Sequence, residues 1–166
     1  MVEDRLMSWD NTYKVLQEYA VEFRNALQDS YINDDRIASG ELLNSCEYII
    51  EKDNMSISVS IQIADYYKYV EWDTKPHWPP VDAMLKYVQV KPILPRPDSR
   101  GKLPTPDQLA YLIGRKISQE GTQGTDNIHK TAEQVNAKYL PLIEEAVSKD
   151  VDNMATFIIT EYFINN

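Results

Sequence analysis

Between Ser56 and Ile63 the chain alternates without a break: Ile57, Val59, Ile61 and Ile63 interleave with Ser56, Ser58, Ser60 and Gln62. Successive side chains of a strand point to opposite faces, whereas a helix would scatter these isoleucines around its circumference. The segment is therefore a strand with one apolar and one polar face. Upstream, Tyr48, Ile49 and Ile50 run into Lys52-Asp53-Asn54, turn-prone residues that make 46–51 its hairpin partner. Ile57, Val59, Ile61 and Ile63 are expected to face the core, and the serines and Gln62 to face solvent or a lumen.

Helical spacing surrounds this hairpin. In residues 10–29, Tyr13, Leu16, Ala20, Phe23 and Leu27 recur every three or four positions, which places them on one helix face. Residues 37–44 suit a short helix or turn punctuated by Gly40. The aromatic run Tyr66-Tyr67-Lys68-Tyr69-Val70-Glu71-Trp72 leads into Pro76, Pro79 and Pro80, which forbid regular structure and predict a stiff, exposed elbow. Residues 81–90 predict a helix with Val81, Leu85 and Val88 on one side. Four more prolines then make 91–104 a long loop, of the kind that compact domains keep for function or partners.

Thr105-Pro106-Asp107-Gln108 spells a capping box with proline at the first helical position. The helix it opens has Leu109, Leu112, Ile113 and Ile117 as its expected buried face, and Gly121 ends it. Gly121-Thr122-Gln123-Gly124-Thr125 reads as a flexible link. Beyond it, Ile128, Ala132, Val135, Leu142, Ile143, Ala146 and Val147 mark one or two helices bent at Pro141. Residues 151–164 read as a final helix, although 156–162 is also strand-like by β-propensity. The pattern predicts a single α+β domain over 1–166. In it a small antiparallel sheet is packed by several helices, with a proline-rich loop at 91–104 and a helical C-terminal segment at 126–166.

Composition narrows the function classes. At 166 residues, 43% hydrophobic and 26% charged, the chain can bury an ordinary globular core without staples. No apolar run approaches the roughly 18 residues that span a bilayer, and Met1-Val2-Glu3-Asp4-Arg5 lacks the basic and apolar regions of a signal peptide. Synthesis in the cytoplasm and no membrane partner are expected. Cys46 is the only cysteine, so it reads as a small apolar residue. The net charge of −9 argues against general nucleic-acid binding. Yet 75–116 holds eight basic residues against three acidic ones, so the remainder is strongly acidic. Such segregation suits either a solvated basic loop or contact between the basic segment of one subunit and the acidic body of another.

Residue types that carry chemistry do not converge. His77 and His129 each lack a neighbouring His or Cys to share a metal. Asp34-Asp35 and Glu144-Glu145 are sequence neighbours and point apart on a helix, so neither is a general acid–base pair. Ser39 and Ser118 have no strand-to-helix elbow around them. Gly121-x-x-Gly124 has the spacing of a nucleic-acid backbone clamp, but its helix-terminating role accounts for it without a ligand. No catalytic, metal or cofactor residue is predicted. The exposed aromatics and basic side chains instead read as interface anchors, and Trp72, His77, Trp78, Arg96, Arg100 and Lys102 are the candidates. The alternative is a soluble adaptor that binds a peptide or glycan through the elbow at 66–80.

Longer motifs add a resemblance. Ser39-Gly40-Glu41-Leu42-Leu43-Asn44-Ser45, then the hairpin, then Tyr66-Tyr67-Lys68-Tyr69-Val70-Glu71-Trp72-Asp73-Thr74-Lys75-Pro76, resembles the TGxLxxS … YAxYVExGTxP signature of tail-completion and neck proteins of tailed bacteriophages. Pro79-Pro80-Val81-Asp82-Ala83-Met84-Leu85-Lys86-Tyr87-Val88 is similar to their PPxxAIxxWV helix. Residues 109–117 with Gly121-Thr122 are similar to their AxAIARKIxxxGT stretch. The order matches over about 39–132. The family's EFGT is Glu71-Trp72-Asp73-Thr74 here, without the glycine, and the segment from Val151 has no counterpart.

The resemblance implies a non-enzymatic α+β virion subunit in a homo-oligomeric ring of six or twelve copies in the neck, closed by head-to-tail contacts. Portal, adaptor or tail-tube proteins are its implied neighbours. Genomic DNA passes through the implied lumen without sequence-specific binding, and no cofactor is implied.

Overall fold

Six α-helices and one two-stranded antiparallel sheet make up the regular structure among the described residues, an α+β fold as expected. The structure is a computed structural model, and it describes residues 8–34, 40–53, 56–91, 93–97 and 99–164. The expectations for residues 37–39, Asn54 and Pro92 lie outside these. Contacts gather the chain into two compact units, each assembled from separated stretches of sequence.

The first unit comprises Met1–Asp29, Cys46–Gln62 and Ile128–Asn166. Most of α1 (Asp10–Asn33) and of α6 (Asn127–Ile164) falls in it. Along α1 the buried residues Thr12, Ala20, Phe23 and Leu27 share one face. Along α6 the matching face carries Thr131, Val135, Tyr139, Ala146 and Asp150. Burying a side chain such as Phe23, Leu27 or Val135 contributes roughly 1.5–3 kcal/mol each. The helices run antiparallel: the first turn of α1 meets Asp150, whereas further along Tyr19 donates to Asn136 Oδ1 at 3.0 Å. The Tyr19 and Tyr139 rings meet edge to face, 5.8 Å apart.

Asp150 fixes the register of this pair. Its carboxylate accepts from the Asn11 backbone N–H at 3.1 Å and side-chain Nδ2 at 2.7 Å, and from the Thr12 backbone N–H at 2.8 Å and hydroxyl at 2.7 Å. The first N–H groups of a helix have no partner within it, and they sit at the positive end of its dipole. A carboxylate supplied by a helix 138 residues away in sequence satisfies two of them. Desolvation raises the carboxyl pKa of Asp150, but the hydrogen bonds from Thr12 and Asn11 outweigh it and hold the group below its ordinary value.

α6 is one continuous 38-residue helix rather than two, about 57 Å long. Pro141 lies inside it on the solvent side, next to exposed Leu140 and Leu142. Proline removes one intrahelical hydrogen bond. Here the buried stripe keeps its phase across it, from Tyr139 to Ala146 and Asp150, so packing carries the helix through. The final segment at 151–164 is helical, and its strand-like composition loses to continuity with the packed part.

The sheet pairs β1 (Glu47–Lys52) with β2 (Ile57–Gln62), in the register Tyr48↔Ile61, Ile50↔Val59 and Lys52↔Ile57. Ile57, Val59 and Ile61 are half-buried while Ser58, Ser60 and Gln62 are exposed, so the alternation holds but the apolar face is only partly covered. Ile63 lies past the strand, in the second unit. The hairpin is tied to α1 by Lys52 Nζ on Asp10 at 3.2 Å and by the Arg24 guanidinium 5.6 Å above the Tyr48 ring. Cys46 is buried as expected; desolvation raises its thiol pKa, against a smaller opposing pull from Arg24, a basic neighbour that its sequence context did not reveal.

The second unit comprises Ser30–Ser45 and Ile63–Asn127. Gly40, at φ 75°, leads into the single turn α2 (Glu41–Asn44). A 3-10 turn (Asp65–Tyr67) runs into α3 (Lys68–Glu71), so half of the expected elbow is helical. α4 (Val81–Val90) and α5 (Pro106–Glu120) follow, the latter with its capping box formed: Gln108 N–H donates to Thr105 Oγ1 at 3.3 Å, and Thr105 N–H to Gln108 Oε1 at 3.0 Å. No helix or strand interrupts the described residues of 91–105, the loop predicted there.

Two face assignments need correction. Val81 is 60% exposed, and α4 covers Met84, Leu85, Tyr87 and Val88 instead. On α5, Leu112 is 50% exposed while Ala110 and Gly114 are buried. The smallest residues take the closest approach: a Cβ at Gly114 would sit 3.6 Å from the Pro79 ring.

Replacing Asp150 by Ala should destabilise the fold by about 3 kcal/mol, roughly 6–12 °C in Tm, since it strips a bonded carboxylate from a buried helix start. Because the folded-state pKa of Asp150 is depressed, its contribution is present above the unfolded value near 4 and is lost as pH falls through the lower folded value. Thermal melts of the chain and of Asp150→Asn should therefore converge as pH falls from about 4 to 2; a constant gap would show that the carboxylate charge is not what α1 uses.

Candidate subunit interface

The elements of the second unit are held by a clamp between residues 70–75 and 121–126. Thr74 and Thr122 form an antiparallel bridge: Thr74 N–H reaches Thr122 O at 2.9 Å, and the two hydroxyls are 2.7 Å apart. Gly124 N–H donates to Asp73 Oδ1 at 2.8 Å, Thr125 N–H to Val70 O at 3.0 Å, and Asp126 N–H to Glu71 O at 3.1 Å. The backbones approach so closely that a Cβ on Gly121 would stand 2.0 Å from Thr74 O, and one on Gly124 would stand 2.3 Å from Glu71 O.

The stretch read as a flexible link is thus pinned along its length. Gly121 ends α5 as expected, at φ 75°, and both glycines are also required by the neighbouring strand of chain. That use leaves the Gly-x-x-Gly spacing without need of a nucleic-acid ligand.

Beneath the clamp Glu71 is buried, at 4% exposure. Its Oε1 accepts from the Tyr31 hydroxyl at 2.6 Å and the Thr125 hydroxyl at 3.2 Å. The last turn of α1, α3 and the segment after α5 are joined through this one oxygen. Its work is structural, because a buried carboxylate is tolerated only when donors surround it.

The sequence-predicted interface residues all lie in this unit and all are exposed. Trp72, 59% exposed, leans edge-on to Tyr67 with ring centres 6.0 Å apart. Trp78, 50% exposed, lies 5.7 Å from the Tyr111 ring on α5. His77 turns its Nδ1 to the Lys75 carbonyl at 2.8 Å. The two tryptophans therefore serve different aromatic pairs rather than one platform. Pro79, expected in the exposed elbow, is buried against Gly114. Between α4 and α5, Trp78, Val81, Met84 and Tyr111 border an apolar crevice of about 80 Å³.

Arg96, Arg100 and Lys102 sit on the helix-free strap, with Gly101 at φ 75° and Leu94 94% exposed. Among the described residues no group of three or more His, Cys, Asp or Glu is placed to hold a metal ion. No described helix is long and apolar enough to cross a membrane.

Two features of the first unit were not legible from the sequence. One is an open groove of about 700 Å³ along α1, lined by Glu18, Val21, Glu22, Asp29, Tyr48 and Tyr139 among others. Lys138 Nζ is bonded to both oxygens of Glu22 at 2.7 Å, and the Tyr139 hydroxyl donates to Glu22 at 3.1 Å. Burial, then the bond to Glu22, raise the Tyr139 hydroxyl pKa; Glu18 adds to the effect and Lys138 opposes it. The second feature is the apolar end of α6. Past Asp150 it exposes Val151 (43%), Ile158 (47%), Ile159 (56%), Tyr162 (65%), Phe163 (76%) and Ile164 (72%).

Charge divides with the units. The first holds fifteen acidic against seven basic residues, and the second eleven against ten. No family model, curated protein or solved structure matches the chain.

The clamp predicts a sharp contrast between glycines. Gly124→Ala should cost about 3 kcal/mol or more, because backbone must separate. Gly101→Ala, with nothing within 4 Å of its Cβ, should cost only the left-handed strain of about 1–2 kcal/mol. Equal losses in denaturant titrations of the two variants would contradict the clamp.

Proposed function

We propose that the chain is a non-catalytic structural subunit that assembles with copies of itself into a ring, and that the ring belongs to the neck of a tailed-phage virion. The observation that carries the assembly reading is the end of α6. Fourteen residues of helix, about 21 Å, extend past Asp150 with six large apolar side chains exposed and no basic residue among them. Large apolar side chains concentrated at one exposed helix end are the kind of surface that marks a protein contact.

The basic strap of the second unit and the strongly acidic first unit support a head-to-tail contact, since different surfaces that meet between successive copies close into a ring when the rotation closes. The neck assignment rests on the motif resemblance over about 39–132. The clamp gives those motifs a physical reason, because Val70-Glu71-Trp72-Asp73-Thr74 and the Gly-Thr after α5 are the two strands of chain that it joins. Portal, adaptor or tail-tube proteins are the neighbours this reading supplies. DNA in the lumen would meet a surface acidic on balance, which lets phosphates slide rather than stick.

The rival reading, an adaptor for a peptide or glycan, draws on half-exposed Trp72 and Trp78. The crevice beside Trp78, about 80 Å³, is well below the roughly 300 Å³ at which ligand pockets begin, which weighs against it.

The substitutions Ile159→Asp and Phe163→Asp fall on exposed positions, so the folded chain should tolerate them. In a phage that depends on this chain, the double variant should give DNA-filled heads without attached tails and a collapse in titre. Intact infectious particles at the parental titre would contradict the proposed role of the α6 end.

A further inference from the structure

We infer that the strap at 91–104 of one copy docks in the groove along α1 of a second copy, with Glu18, Glu22 and Asp29 facing Arg96, Arg100 and Lys102. The inference rests on the self-assembly reading above and names the contact that reading lacks.

Three observations choose this occupant. The first is charge. Glu18 and Asp29 have no ion-pair partner among the described residues, and Glu22 holds a single lysine, so the groove presents net negative charge to whatever enters it. The strap is the most basic extended segment of the chain, and Arg96 is exposed on it. Complementary potentials of this kind fix register and raise the association rate.

The second is shape. From Glu18 to Asp29 the helix rises about 17 Å, and the six steps from Arg96 to Lys102 span at most about 20 Å. Prolines at 92, 95, 97 and 104 restrict the free strap, so docking orders less backbone than it would in a flexible loop.

The third is apolar content. Leu94 is 94% exposed and Leu103 56%, far more than a solvated loop needs. The groove offers Val21, Ala26 and the Tyr48 ring between its carboxylates. An acidic groove with an apolar floor meets a basic strap with apolar anchors, and the contact is head-to-tail because groove and strap are different surfaces.

Mixed-copy crosslinking tests this. One preparation carries Leu94→Cys and a second, differently tagged, carries Val21→Cys, both with Cys46→Ala to remove the native thiol. Mixed, assembled and oxidised, they should give a disulfide joining the two tags. A chain carrying both new cysteines should crosslink into ladders rather than closing on itself. In parallel, Arg96→Glu and Glu18→Arg should each weaken assembly at least tenfold, and the two together should restore part of the loss.

If assemblies form without the mixed disulfide, the strap contact is wrong and the self-assembly reading stands. Crosslinks only within single chains would place the strap in its own groove and overturn the inference. If the chain stays monomeric and uncrosslinked at every concentration, both readings fail.

Discussion

A single carboxylate sets the register of the two long helices, α1 and α6. Asp150 supplies the acceptors that the first turn of α1 lacks, across 138 residues of sequence, and it can be buried only because four donors surround it. Once that contact is made, the antiparallel register follows, and with it the meeting of Tyr19 with Asn136 and of Glu22 with Lys138 and Tyr139. The groove on α1 is a product of this register, since one of its walls is Tyr139. The contact also sets a limit. α1 begins opposite Asp150; Ser8 and Trp9 just before it border Val151 and Met154, and from Ile158 onward the large apolar side chains of α6 are exposed.

In the second unit a different constraint does the equivalent work. Two glycines let residues 121–126 lie against residues 70–75 at distances no Cβ permits, and Glu71 ties α3 to Tyr31 and Thr125 underneath. The clamp fixes both ends of a stretch that contains α4, the strap and α5. The strap can therefore stay free of regular structure without loosening the unit, because its flanks are anchored by helix packing and by the capping box at Thr105. Exposed Trp72 is then a consequence of the clamp: it follows buried Glu71 directly and turns outward where α3 ends.

What the sequence revealed follows from how local each cause is. The alternation at Ile57, Val59 and Ile61, the capping box, and the helix at Val81–Val90 are written in neighbouring residues, and all three stand in the structure. The partial coverage of the sheet, the exposure of Leu112 and the burial of Ala110 and Gly114 depend on which neighbour packs where, which apolarity alone does not specify. Whether one helix or two forms around Pro141 depends likewise on packing: the buried stripe stays in phase on both sides and carries a single helix through the proline. Gly121 and Gly124 read as slack because their partner lies fifty residues upstream. The exposure of Trp72, Trp78 and the basic side chains of the strap was legible, but the aromatic partners Tyr67 and Tyr111 were not. The groove was not, since Tyr48 and Tyr139 reach it from different elements.

In the proposed ring, self-association is driven by the exposed end of α6 and by contact between the basic strap and the acidic first unit. Sedimentation velocity of the purified chain over a range of concentration and salt tests that claim most directly. It predicts a discrete species of six or twelve times 19.2 kDa that dissociates as salt is raised. A single species of 19.2 kDa under all conditions would contradict it.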